Sequence, residues 1–160
     1  MSQWKWTVAI CLLTVVGCTP DGTPPDRRPM PQVQHSVKDN DARAFLNAER
    51  ASKGLQPVRR SSQLTAAAAR HARDMSAGPF FSHASANGDT LVDRVRRQGY
   101  GYCLVAENIA QGQASEAEVM AGWMQSQGHR RNILDPGVTE FGLARAPGNY
   151  WVLVLARPGC

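Results

Sequence analysis

Residues 139–158 read TEFGLARAPGNYWVLVLARP, two β-rich runs separated by Pro147-Gly148-Asn149. A Pro-Gly-Asn connection supplies a preset φ and two residues that tolerate left-handed backbone, so the runs are expected to fold back as a hairpin. The second run, Tyr150 to Ala156, is apolar at every position, as in a strand buried on both faces. That strand is expected to sit at the centre of a small antiparallel sheet.

Upstream, the spacing predicts helices. Ser36 can cap one running to about Lys53, with Ala42, Phe45 and Leu46 on its apolar face and Gly54 as its stop. After Pro57, Ser61 or Ser62 can cap a second, SQLTAAAARHARDMSA, in which Leu64, Ala67, Ala68, His71 and Met75 recur at helical spacing before Gly78-Pro79. A shorter helix follows Asn87-Gly88-Asp89, with Leu91, Val92 and Val95 on one face. CLVAENIAQG, residues 103–112, reads as a short strand or extended segment entering a glycine turn. Ser115 with Glu118 opens a capping-box helix through Val119, Met120 and Trp123. Helices laid on a small antiparallel sheet make an α+β layered domain.

The chain of 160 residues, 42% hydrophobic, suffices for one domain with a real core. Its first eighteen residues, MSQWKWTVAICLLTVVGC, hold one cation, Lys5, and then a largely apolar run too short to span a bilayer, which needs roughly 20 residues. This is the layout of a secretory signal. The ending Val15-Val16-Gly17-Cys18 resembles the lipobox of bacterial lipoprotein signals, with Val15 where Leu is commoner, so Cys18 is expected to be acylated. The expected organisation is a lipoprotein signal at 1–17, a Pro-rich tether at 18–36 and the folded domain at 37–160. The membrane is then a partner through lipid, and the location is the bacterial cell envelope, outside the cytoplasm. The arginines are scattered instead of clustered, which excludes a nucleic-acid footprint. With Cys11 in the signal and Cys18 lipidated, Cys103 and Cys160 are left as the thiols of the domain and are expected to pair in an oxidising compartment. A loop of that length is worth about 4 kcal/mol on the chain-entropy model.

Three strings can carry chemistry: FFSHAS around His83, AENIA around Glu107 and WMQSQGHRRNILDP around His129. Two histidines and a carboxylate, each beside a break in regular structure, suit a metal or acid–base site in a cleft. His71, mid-helix among small residues, reads as a packing or hydrogen-bonding histidine. Asn108 is expected to brace its loop through main-chain bonds, Trp123 to lie in the core, and Glu140 to pair with a nearby cation. Ser82 beside His83 is a poor nucleophile–base pair, because neighbours on an extended segment point apart.

Taken in order, the strings resemble the signatures of the bacterial, SCP-like extracellular branch of the CAP superfamily (cysteine-rich secretory, antigen 5 and pathogenesis-related 1 proteins). The matching segments are His71 to Met75, Phe80 to His83, Gly101 to Ala110, Trp123 to Leu134, Thr139 to Gly142 and Tyr150-Trp151, so the resemblance covers about residues 38 to 157. It implies a three-layer α-β-α sandwich whose cleft is lined by His83, Glu107 and His129, with His83 and His129 able to hold zinc or another divalent cation. A further family glutamate, three residues after the helix tryptophan, is Ser126 here. Glu107 is left as a ligand, a partner of an imidazole, a hydrogen-bond acceptor or, with a metal, the candidate catalytic base. Three functions fit: an envelope-anchored binding module for a lipid, cell-wall fragment or protein, which is favoured; a zinc-assisted hydrolase; and a structural envelope protein. The lack of a dense ligand motif such as HExxH counts against the second.

Overall fold

The computed structural model describes residues 36–160, so the signal, Cys11, Cys18 and nearly all of the tether lie outside the described residues. Within them are helices α1 (Ser36–Ala51), α2 (Ser62–Ala77), α3 (Leu91–Arg97), α4 (Glu116–Gln125) and α5 (Gln127–Ile133). The strands are β1 (Arg59–Arg60), β2 (Tyr102–Gln111), β3 (Glu140–Ala146) and β4 (Tyr150–Pro158), in the spatial order β1-β3-β4-β2. None of these helices is long and apolar enough to cross a membrane.

The hairpin forms as its residues dictate. β3 and β4 pair antiparallel with Ala146 opposite Tyr150, and the turn uses Gly148 at φ 80° and Asn149 at φ 59°. β4 lies between β3 and β2, which explains its unbroken apolar run. Trp151, Leu153 and Leu155 face one side, where α1, α4 and α5 supply Leu46, Met120, Trp123 and Ile133. Val152, Val154 and Ala156 face the other, against Leu64, Ala68 and Met75 of α2 and Val95 of α3. The result is the α-β-α layering, with one core on each face of the sheet. The sheet is mixed, because β1 adds two residues parallel to β3.

Several boundaries differ from expectation. CLVAENIAQ belongs to a full ten-residue strand, β2, paired antiparallel with β4 with Glu107 opposite Val154, and Gly112 follows it at φ 102°. The helix opened by Ser115 closes at Gln125, because Ser126 takes an extended conformation (φ −89°, ψ 121°) and sends its N–H back to Gly122 O and Trp123 O. The string GHRRNI then starts a separate short helix, α5. α1 stops at Ala51, with Gly54 at φ 69° turning the chain.

Two close contacts set the spacing of the layers. Gly142 of β3 lies directly under α2, and a Cβ there would stand 2.2 Å from Leu64 C and Thr65 N, so only a residue without a side chain lets helix and strand approach this closely. Arg50 of α1 is fully buried yet fully used. Its guanidinium donates to Gln56 O at 2.8 Å, Ile133 O at 2.8 Å, Asp135 O at 2.9 Å and Val138 O at 3.1 Å. One side chain thereby gathers the end of α1, the end of α5 and the approach to β3. Cys103 and Cys160 form a disulfide with Cα atoms 5.1 Å apart, joining the chain's last residue to the start of β2.

Because the obstacle above Gly142 is helix backbone, Gly142→Ala should cost at least the upper part of the usual overpacking range of about 1–3 kcal/mol. Chemical denaturation of the variant against wild type measures it, and an unchanged midpoint would show that α2 can lift off the sheet freely.

Candidate functional site

Side chains alternate across β2, so its Glu107-Asn108 pair reaches both layers. Glu107 points to the α2–α3 side and is 7% exposed. Its Oε2 accepts from Arg94 Nη2 of α3 at 2.8 Å, and its Oε1 accepts from His83 Nδ1 at 2.9 Å. Asn108 points to the α5 side, fully buried. There its amide donates to His129 O at 3.1 Å and accepts from Asn132 Nδ2 at 2.8 Å, while Asn132 also donates to Glu107 O at 3.3 Å. The Glu-Asn pair therefore fastens the His83 loop on one side and the His129 helix on the other.

Arg94 is the member that inspection of the sequence missed. It lies one helical turn from Leu91 and beside Val95, so a cation on the apolar face of a seven-residue helix was the available signal. The side chain is fully buried. Besides Glu107 it donates to Ser85 Oγ at 3.2 Å and Asp89 O at 3.1 Å, fixing the loop of residues 78–90. That loop carries His83, and α3 is itself held at its start by a Thr90–Asp93 capping box.

The histidines sit in different electrostatic settings. The hydrogen bond to Glu107 raises the pKa of His83, whose side chain is 60% exposed, and burial opposes this only in part. In the neutral ring this bond places the proton on Nδ1 and leaves Nε2 as an acceptor. His129, on α5, has its pKa lowered, first by burial and then by the nearby His83 charge. Its ring tilts at 57° to that of Trp123, with centroids 6.5 Å apart. His71 is completely buried on α2, with Nε2 2.8 Å from Ser82 O. Trp123 is a core residue whose indole donates to Ile109 O at 3.3 Å, and Glu140 pairs with Arg59. Ser82 Oγ accepts from Ala84 N and is not bonded to His83.

A cavity of about 320 Å³ is lined by His83, Ala84, Thr90, Leu91 and Glu107. His129 is not among its lining residues, so the structure brings His83 and Glu107 together directly and connects His129 through Asn108 and Asn132. A larger cavity, about 560 Å³, lies against α1, α4 and the hairpin, over Phe45, Met120, Leu143 and Trp151. It holds no imidazole, and the chemistry is assigned to the smaller one.

The donor set does not fit a tight metal centre. Zinc sites of the structural or hydrolytic kind take three or four protein ligands. Among the described residues no three His, Cys, Asp or Glu side chains gather to hold an ion. His83 spends Nδ1 on Glu107, Glu107 spends both oxygens on His83 and Arg94, and Ser126 offers only a hydroxyl. No chemical step is therefore assigned to a metal.

A family profile described as CAP, the cysteine-rich secretory protein family, matches residues 43–155. The uncharacterized protein YkwD of Bacillus subtilis is 37% identical over 108 residues, which is 67% of this chain and 42% of that protein. An extracellular protein containing an SCP domain from Bacillus anthracis superposes with a TM-score of 0.71 at 29% identity, over 74% of this chain and 39% of that one. An outer surface protein from Borrelia burgdorferi shares the fold with a TM-score of 0.71 at 16% identity, over 78% of this chain and 95% of that one. The chain thus spans well under half the length of either Bacillus relative.

Removing one partner of a buried ion pair leaves an uncompensated charge, which costs about 3–5 kcal/mol. Arg94→Met should lose stability on that scale, and adding Glu107→Leu should restore much of it. Additive losses in denaturant titrations of the two single variants and the double variant would show that the pair is not coupled.

Proposed function

The chain belongs to the cysteine-rich secretory protein (CAP) family, and from that premise we propose that it is an extracytoplasmic, envelope-anchored binding module whose ligand is met by His83 and Glu107, His129 being joined to them through Asn108 and Asn132. The observation that carries this reading is the engagement of Glu107. A hydrolase of the metal-assisted kind needs a carboxylate free to take a proton from water. Here both oxygens of the carboxylate already accept, one from a buried guanidinium. What faces the cleft is a held imidazole with an acceptor nitrogen, beside Ala84, Leu91 and the Thr90 position. Such a surface recognises a ligand with an apolar body and one well-placed polar group.

The extracytoplasmic location draws on the sequence of residues 1–18 and on relatives described as an extracellular protein and an outer surface protein. Anchoring rests on Cys18. Multiple acylation would hold the chain at a membrane, since a single chain binds only marginally.

Two measurements test this. In the expressing cell, Cys18→Ala should move the chain from the membrane fraction to the soluble one and abolish labelling by a fatty-acid analogue; retention of label would assign the lipid elsewhere. For the cleft, lipids and cell-wall fragments that raise the melting temperature of wild type should lose that effect in His83→Ala and be recovered chemically intact. Cleaved ligand whose turnover stops in Glu107→Gln would favour the hydrolase. Zinc titration should reveal no tight site, and a tight one removed by His83→Ala with His129→Ala would reinstate the metal.

A further inference from the structure

His71 has no part in the cleft, yet it stands at the hub of the bonds that hold the cleft's loop. Its Nε2 lies 2.8 Å from Ser82 O and its Nδ1 lies 3.4 Å from Ser85 Oγ. A carbonyl can only accept, so Nε2 carries a proton, and in the neutral ring Nδ1 accepts from the Ser85 hydroxyl. The Ser85 oxygen then keeps its lone pairs for Arg94 Nη1, 3.2 Å away. The loop of residues 78–90 is thus fastened to α2 at Ser82 and Ser85 and to α3 at Ser85 and Asp89.

We propose that His71 is an acid-sensitive latch: protonation of its buried ring releases the 78–90 loop and with it His83, which leaves Glu107. The proposal concerns the loop and holds whatever ligand the cleft takes.

Protonation places a second N–H opposite Ser85 Oγ, whose own hydroxyl proton then loses its acceptor. It also places a second cation in a fully buried space beside Arg94. The charged groups facing the ring are Glu107 from β2, Arg94 from α3 and Asp74 from its own helix. Strands β3 and β4 turn Ala144, Ala146, Val152, Val154 and Ala156 toward this layer, none of them ionisable. Glu107 Oε1 is 3.9 Å from His71 Nε2 but is already bonded to His83, and Asp74 lies on the surface against Arg70. The new charge therefore has no free counter-ion in place, and moving the loop is the route by which water reaches it.

The sign follows from linkage. Burial holds the His71 pKa below the ordinary 6.5, with Glu107 pulling it partly back, so the closed loop prefers the neutral ring. With the loop open and the ring in water, its pKa returns toward the ordinary value, about 6.5, of a solvated histidine. The closed state is then fully favoured above that pH and weakens as pH falls toward the lower, closed-state pKa. The His83–Glu107 bond has the opposite slope, since a raised histidine pKa makes that contact stronger in acid. The direction of the pH effect thus separates the two histidines.

Amide hydrogen exchange across residues 82–89 of the full chain, corrected for intrinsic rates, measures loop opening between pH 8 and pH 5. Wild type should open least near about pH 6.5, opening more above it as the His83–Glu107 contact weakens and, below it, about tenfold more per pH unit until the closed-state His71 pKa is reached. His71→Gln, which keeps a donor for Ser82 O and cannot protonate, should lose the acid-side rise. Ser85→Ala removes the donor that favours the neutral ring, so the closed-state pKa rises and the acid-side increase should level off at a higher pH, which keeps the proposal testable where His71→Gln fails to fold. His83→Ala should keep the acid-side slope. An acid-side rise that survives in His71→Gln, disappears in His83→Ala, or levels off at the same pH in Ser85→Ala would overturn the proposal.

Discussion

The Arg94–Glu107 ion pair is the constraint on which the site rests. A guanidinium and a carboxylate withdrawn from water must satisfy each other or pay several kcal/mol apiece. Meeting that demand fixes α3 against β2, because the two residues come from those elements. Arg94 Nη1 then ties down the loop between α2 and α3, and the other oxygen of Glu107 orients His83. The pair adds a directional contact between two elements that also share an apolar cluster, with Val95 from α3 and Ile109 from β2.

How much of this was legible depended on the range of the interaction that decides each feature. The hairpin and the two-faced core could be read from residues 139–158, since turn chemistry and strand burial act locally and leave a periodic trace. The break at Ser126 could not, because both flanking segments have helical composition and only the backbone of one residue departs. His83 and Glu107 stood out as residue types at breaks in structure. Their actual relation, a shared hydrogen bond with the carboxylate half-spent on an arginine 13 positions away in sequence, leaves no local trace. Arg94 looked like one more scattered cation on a chain that has many.

Replacing a family glutamate by Ser126 and engaging Glu107 on both oxygens act in the same direction. Each subtracts a free carboxylate from the neighbourhood of the imidazoles. What is left is an ordered cluster in which Glu107 is held by His83 and Arg94. The larger apolar cavity lies toward the other helical layer, so the sheet separates two recesses of different character: one polar at its rim, one floored by Phe45, Met120, Leu143 and Trp151.

β2 is the edge of the sheet, and two of its carbonyls, those of Glu107 and Ile109, accept from Asn132 and Trp123 side chains supplied by α5 and α4. Edges left open invite strand addition from neighbouring chains. With these acceptors taken, a partner gains little by aligning its own backbone here, and recognition falls to side chains. At high concentration the same feature guards one copy against the next, since two of the acceptors that would zip their sheets together are already engaged.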